Sequence, residues 1–294
     1  MLKSFNKHTY NHNFYNLFGK FSSNLAKLGV FTFALFSLAG CGDMLEPTVA
    51  EICETHASYC NDLNKDSWCR SEKADIIKHR FRHREDDSQD HKYQLMLAFE
   101  DYQSCIVKAS GIQHKKFRDK ERTRMQGVIT ARNELKRLAR ETRNAASPYL
   151  AYYHWSRFGD EDALNRFTHY MSNNQVDDPA LLVALASVQV KESVDDTRQT
   201  LYEALSMYDD GDDVDKEIFT SLVTLGIEQE KYRMSYVWSA VASHYEGNVN
   251  NQQQLALAQK YSLPVEILDD IADEIIDALD DGQFDAKKLG LERL

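Results

Sequence analysis

Apolar residues recur along most of this chain at three- and four-residue spacing, the period of a helix face rather than the alternation of a strand. Two such stretches, Ser71 to about Arg84 and Asp90 to about Gly111, are separated by the charged break Glu85-Asp86-Asp87-Ser88 and predict an antiparallel helical hairpin turning near Asp87. The basic stretch 113–143 predicts one long helix. Its stripe of Met125, Val128, Ile129, Leu135, Leu138 and Ala139 packs on that hairpin, with Arg and Lys solvated opposite.

From Ser147 onward the pattern repeats. Helical hairpins are expected to begin near Ser147, Asp178, Val214 and Asn250, close to the 34-residue period of tetratricopeptide-type repeats. Asp178-Pro179 supplies a helix cap followed by a first-turn proline. The second unit places Leu181, Leu182, Leu185 and Val188 on one helix and Leu201, Ala204, Leu205 and Tyr208 on the next. The third carries Phe219, Leu222, Val223 and Leu225, then Tyr232, Val237, Ala240, Val241 and Tyr245. One helix pair leaves an apolar face uncovered, so neighbours must stack. A last helix, Val265 to Leu279, sets Leu268, Ile271, Ile275, Ile276 and Leu279 opposite many carboxylates, as a polar-faced end cap would.

Composition agrees with an all-α fold: 12 Gly and 4 Pro in 294 residues are too few for the turns of a sandwich or barrel, and 43% hydrophobic residues suffice for a core. Charge adds a polarity that periodicity does not show. Residues 41–69 carry a net charge of −5, residues 70–143 of +7 and residues 144–294 of −17. The acidic balance, −11 for the whole chain, argues against a general nucleic-acid binder. The alternative to a packed helix with solvated charges is a surface for anionic lipid head groups or an acidic partner; the stripe lacks aromatics beyond Phe117 for stacking on bases.

The first 40 residues hold four lysines (Lys3, Lys7, Lys20, Lys27) and no acid, then an apolar run from Leu28 to Leu38 too short to span a bilayer as a stable helix. The run closes on Leu38-Ala39-Gly40-Cys41, which resembles a bacterial lipobox. That resemblance implies a signal peptide over 1–40, cleavage before Cys41, lipid on its sulfur and acylation (palmitate) of its amine. Gly42 rather than Asp follows the cysteine, which favours the outer membrane facing the periplasm.

Cys53, Cys60, Cys69 and Cys105 remain, an even number for an oxidising compartment. Four cysteines allow three pairings; Cys69 and Cys105 lie 18 residues either side of the predicted turn, which favours Cys69–Cys105 at the open end of the hairpin and, by elimination, Cys53–Cys60. Their spacings fit neither a C-x-x-C redox pair nor a zinc ribbon. The organisation expected is therefore a disulfide-stapled helical domain over 41–143 and an acidic repeat domain over 144–294.

Catalytic motifs are missing: there is no Walker loop, G-x-S-x-G, H-E-x-x-H or glycine-rich dinucleotide turn. His79 and His83 have a metal-compatible spacing, but Arg80, Arg82 and Arg84 surround them. Asp209, Asp210, Asp212, Asp213 and Asp215 crowd around Gly211 without the calcium-loop pattern, and read as a solvated turn. Trp68 is expected to pack over the Cys69 disulfide rather than bind a sugar. No cofactor or metal is expected.

The stretch Tyr236-Val237-Trp238-Ser239-Ala240-Val241-Ala242, closing at Glu246-Gly247, is similar to the second helix of Sel1-like repeats; the likeness spans about 147–261 and rests on the third unit, since the first two lack that family's small residues and glycines. The lipobox, the four cysteines, the segment Asp66-Ser67-Trp68-Cys69-Arg70-Ser71-Glu72-Lys73 and the repeats together resemble an uncharacterised Gram-negative lipoprotein family. That resemblance implies no reaction. The leading expectation is a non-enzymatic envelope adaptor or scaffold, held to the membrane at Cys41 and binding a protein partner along its repeats. A cell-wall hydrolase or lyase would instead need a cleft holding a carboxylate of raised pKa, and a small-ligand or cation binder would use the acidic loop.

Overall fold

Short polar side chains mark where the helices of this chain begin, and their reach to free backbone N–H groups fixes the element boundaries. The computed structural model describes residues 47–84, 86–112, 118–247 and 252–294. The leader over 1–40, Cys41 and the predicted helix start at 113–117 lie outside them. Among the described residues every regular element is helical, with twelve α-helices and two short 3-10 turns.

Thr48 and Glu51 form a capping box at α1 (Val49–Thr55), and Ser88 caps α3 (Gln89–Ser110) by accepting from His91 N. Between them α2 (Arg70–His83) runs antiparallel to α3. Charged residues tie the turn: His83 and Lys92 each reach Asp87 at 3.0 Å, and His91 reaches Asp86 at 3.1 Å. At the open end Cys69 is bonded to Cys105, and Cys53 to Cys60, each with Cα atoms 5.8 Å apart. This is the pairing that a hairpin turning near Asp87 requires.

The long basic helix α4 (Arg118–Thr142) lies along α3, rotated from the expected orientation. Val128, Ala131 and Leu138 are buried at steps of three and seven residues, but Met125 and Ile129 are 50% and 53% exposed, and Arg124 is buried in their place. Two local facts cause the rotation. At Gly127 a Cβ would collide with the Tyr102 hydroxyl, so the absent side chain lets α4 approach α3 there. Arg124 finds acceptors inside, as described below.

The second half consists of three stacked hairpins, α5 (Pro148–Phe158) with α6 (Glu161–Asn173), α7 (Pro179–Gln189) with α8 (Val194–Leu205) and α9 (Lys216–Glu228) with α10 (Tyr232–Glu246); in place of the fourth hairpin expected from near Asn250, α11 (Gln252–Tyr261) and α12 (Val265–Asp280) each pack on α10. Asp160, Asp178, Ser193 and Asp215 cap their helices through side-chain oxygens, and Gly247 ends α10 with φ of 62°. Helical repeats, as the pattern predicts, are thus what these residues build. Trp238 is completely buried, stacked on Phe219 and tilted against Tyr202 and Phe284. Leu268, Ala272, Ile275 and Leu279 of α12 close this core from one side, and the tail returns Phe284 and Leu291 onto it.

Helix α5 serves two cores. Leu150 and Tyr153 join the apolar cluster of α1 to α4, while Ala151 and Tyr152 pack with Phe167, Leu181 and Ala184. Tyr93 of α3 packs on Tyr149 and Tyr153 with ring centroids 5.4 and 6.4 Å apart, and Ser147 N donates to Gln89 at 2.8 Å.

Candidate functional site

The site begins with the inward turn of Arg124. Its Nε and a terminal nitrogen each lie 2.7 Å from Asp66 Oδ2, and its other terminal nitrogen donates to the Ala109 carbonyl at 2.9 Å. Asp66 also accepts from Asn64 at 2.6 Å, and Asn64 accepts from the Tyr102 hydroxyl at 2.9 Å. Lys73 donates to the Asn64 and Asp66 carbonyls. Burial would raise the Asp66 carboxyl, but hydrogen bonds from Asn64 and Arg124 outweigh it and hold the pKa below the usual 3.8. Burial chiefly lowers that of Lys73, against the attraction of Asp66. The segment 66–73 is thus the knot that locks α2, α3 and α4 together.

With Arg124 turned in, the opposite side of α4 faces outward. Arg132, Lys136 and Arg140 stand there at four-residue steps, about 6 Å of rise each. None of the three has an ion pair or side-chain hydrogen bond among the described residues. Arg137, on the adjacent side, is held by Glu134 and Glu141 at 2.8 Å each. Like charges four apart on a helix destabilise it by a few tenths of a kcal/mol per pair.

The ladder forms one wall of a cavity of about 800 Å³. Leu135 and Ala139 give it apolar lining, and Glu100 and Gln103 of α3 contribute from a second side. The end of α5 supplies the third, with Tyr153, His154, Arg157 and the 58% exposed Phe158. Glu100 orders this end, accepting from the Tyr153 hydroxyl at 2.9 Å and from Arg157 Nε at 3.1 Å. Burial first, then Glu100, pushes the Tyr153 hydroxyl well above its ordinary pKa, so it remains a donor. His154 is 3% exposed and paired with Thr142 at 3.0 Å, and burial lowers its pKa. Asp160 accepts from Ala163 N and pairs with Arg143; the first of these leads in holding its carboxyl below the ordinary range. Both acids of the cavity are thus occupied, and the free charge is positive.

Residues 38–240 match the model of a family described as a protein of unknown function (DUF2989). The chain belongs to that family. The matched stretch contains the Asp66–Arg124 knot and the whole cavity, and stops inside α10. No curated protein matches the chain, and no solved structure does.

Other residues singled out by the sequence have local roles. His83 is engaged by Asp87 at Nε2 and by the Asp86 carbonyl at Nδ1. Asp215 is 5% exposed and caps α9, and Asp212 accepts from Asp209 N, so the loop around Gly211 serves the backbone. Among the described residues no group of three or more His, Cys, Asp or Glu is arranged to hold a metal ion. Trp68 takes the Arg124 guanidinium 5.6 Å from its ring centroid. Reading the chain by pattern alone missed the α5 wall, for which Arg157-Phe158-Gly159 before an Asp cap was the only local signal.

Glu217 stands apart. Burial, with Asp215 adding to it, pushes its carboxyl up to about 7 from the usual 4.5. Its folded pKa exceeds the unfolded one, so the folded state holds the extra proton between these values. Glu217 therefore favours folding at low pH and opposes it increasingly as pH rises to about 7. Glu217→Gln removes the ionisation: its melting temperature is expected to exceed that of the wild type at pH 8, and the gap to shrink toward pH 5. A gap independent of pH across that range contradicts the assignment.

Proposed function

We propose that this chain is an envelope lipoprotein, anchored through Cys41 to the outer membrane on its periplasmic side, and that it works as a non-enzymatic adaptor whose basic groove docks an acidic segment of a protein partner. The observation that carries the reading is the free Arg132–Lys136–Arg140 ladder beside the apolar strip of Leu135, Ala139 and Phe158. A regularly spaced row of charge with an apolar margin suits a carboxylate-bearing amphipathic segment. Among the described residues no helix is long and apolar enough to cross a membrane. The rival hydrolase needs a proton-holding carboxylate in its cleft, and Glu217, which has that property, does not line the cavity.

Two measurements test this. Cys41→Ser is expected to remove the lipid mass and shift the chain from the membrane pellet to the soluble fraction; membrane retention without lipid defeats the anchor. For the groove the probe is poly-L-glutamate. Its binding to the full chain is expected to weaken steeply between 50 and 500 mM salt and to be lost in R132E/K136E/R140E. Binding unchanged by that triple reversal, or no binding at low salt, overturns the groove reading.

A further inference from the structure

The exposed side of α4 carries, in chain order, Ile129, Arg132, Lys136 and Arg140, at steps of three, four and four residues. The exposed side of α12 carries Ile267, Asp270, Glu274 and Asp277, at steps of three, four and three. On a helix each set falls within an arc of about 80°, so each is one stripe: an apolar residue followed by three like charges. Ile129 is 53% exposed and Ile267 is 60% exposed. Among the described residues none of the six charged side chains has an ion pair or side-chain hydrogen bond. The two stripes thus share direction and pitch, and their charges are opposite.

We infer that the acidic segment docked in the basic groove is α12 of a second copy of this chain. The proposal rests on the groove reading above and names its occupant. Laid parallel, Ile267 meets Ile129, Asp270 meets Arg132, Glu274 meets Lys136 and Asp277 meets Arg140. The isoleucines exclude water at one end, and each ion pair relieves like-charge repulsion on both helices. Folding keeps Leu268, Ala272, Ile275 and Leu279 of α12 in its own core, so docking uses only the charged face that folding leaves free, with Ile267 as its apolar contact. Charge orients the encounter, because residues 70–143 are net positive and residues 144–294 strongly negative. The two faces differ, so the contact is heterologous: every copy offers one free groove and one free α12, and association runs head to tail into short chains or a ring.

The test is light scattering coupled to size-exclusion chromatography on the purified full chain in detergent. At 50 mM salt the wild type is expected to show a mass that rises with concentration and returns to the monomer at 500 mM salt. R132E/K136E/R140E and D270K/E274K/D277K change only exposed residues; circular dichroism checks that each folds. Each alone is expected to associate about 100-fold more weakly. Mixed in equal amounts the two triples are expected to associate again, since an intact groove on one meets an intact α12 on the other. A wild type that stays monomeric at low salt overturns the proposal, as does association that survives either reversal. If the wild type is monomeric while poly-L-glutamate still binds the groove and R132E/K136E/R140E abolishes that binding, the second copy is wrong and the groove stands. If poly-L-glutamate also fails to bind, both fall.

Discussion

Asp66→Ala is expected to destabilise the fold by about 3–5 kcal/mol, because it strands the Arg124 guanidinium in the interior without its counter-ion. Arg124 is 1% exposed, and its remaining acceptor is the Ala109 carbonyl at 2.9 Å. The same change removes acceptors from Asn64 and from Trp68 N. Pairing it with Arg124→Met separates the causes. The double variant is expected to lose less than the two single losses added together, since it removes the stranded charge as well as its partner. Denaturant unfolding measures all three, and a loss below about 1.5 kcal/mol for Asp66→Ala contradicts the buried pair. There is also a pH signature. The Asp66 pKa is depressed on folding, so its contribution is present above the ordinary value of 3.8 and is lost as pH falls through the lower folded value. Because Arg124 fixes which side of α4 faces inward, Asp66→Ala is also expected to weaken poly-L-glutamate binding, although Asp66 does not line the groove.

Removing the Cys69–Cys105 bridge is expected to cost about 4 kcal/mol, and removing Cys53–Cys60 about 2 kcal/mol, from the loop-closure entropy of loops with separations of 36 and 7 residues. The larger loop contains all of α2 and most of α3, so its release frees the hairpin on which α4 packs. Cys69 is 6% exposed, and its φ of 55° places it in the left-handed region just before α2. Paired serine variants, unfolded in parallel, give the ranking. Equal losses, or a larger loss for the short loop, contradict the assignment of Cys69–Cys105 as the principal staple.

Much of this architecture was legible in local chemistry. Ser147 and Asp178 were expected at the starts of helical hairpins and stand there, Asp178 as a side-chain cap and Ser147 in the cap position ahead of Pro148 without a capping bond; the third unit begins at Asp215, one residue after the expected Val214, because the Asp side chain rather than the apolar Val sets the boundary. The cysteine pairing followed from counting residues either side of one charged turn. The face of α4 was half misread, and the reason lies at long range. Arg124 looks like a surface residue by its type, and its acceptors lie 58 residues away at Asp66 and 15 away at Ala109. No periodicity within α4 contains either. The groove was legible as positive charge in the segment 113–143, but its free ladder was not, because which cations are free depends on Glu134 and Glu141 occupying Arg137 instead of a neighbour.

The central claim, that the groove between α3, α4 and α5 docks a carboxylate-rich segment, is tested most directly by a photo-crosslinking residue placed at Gln103 in cells, with Glu203 on α8 as an exposed control. The account predicts an adduct from position 103 whose partner peptide is rich in Asp and Glu, weak or missing from position 203 and abolished by R132E/K136E/R140E. No adduct from position 103 at normal expression, or one whose partner peptide is neutral or basic and survives the triple reversal, contradicts it.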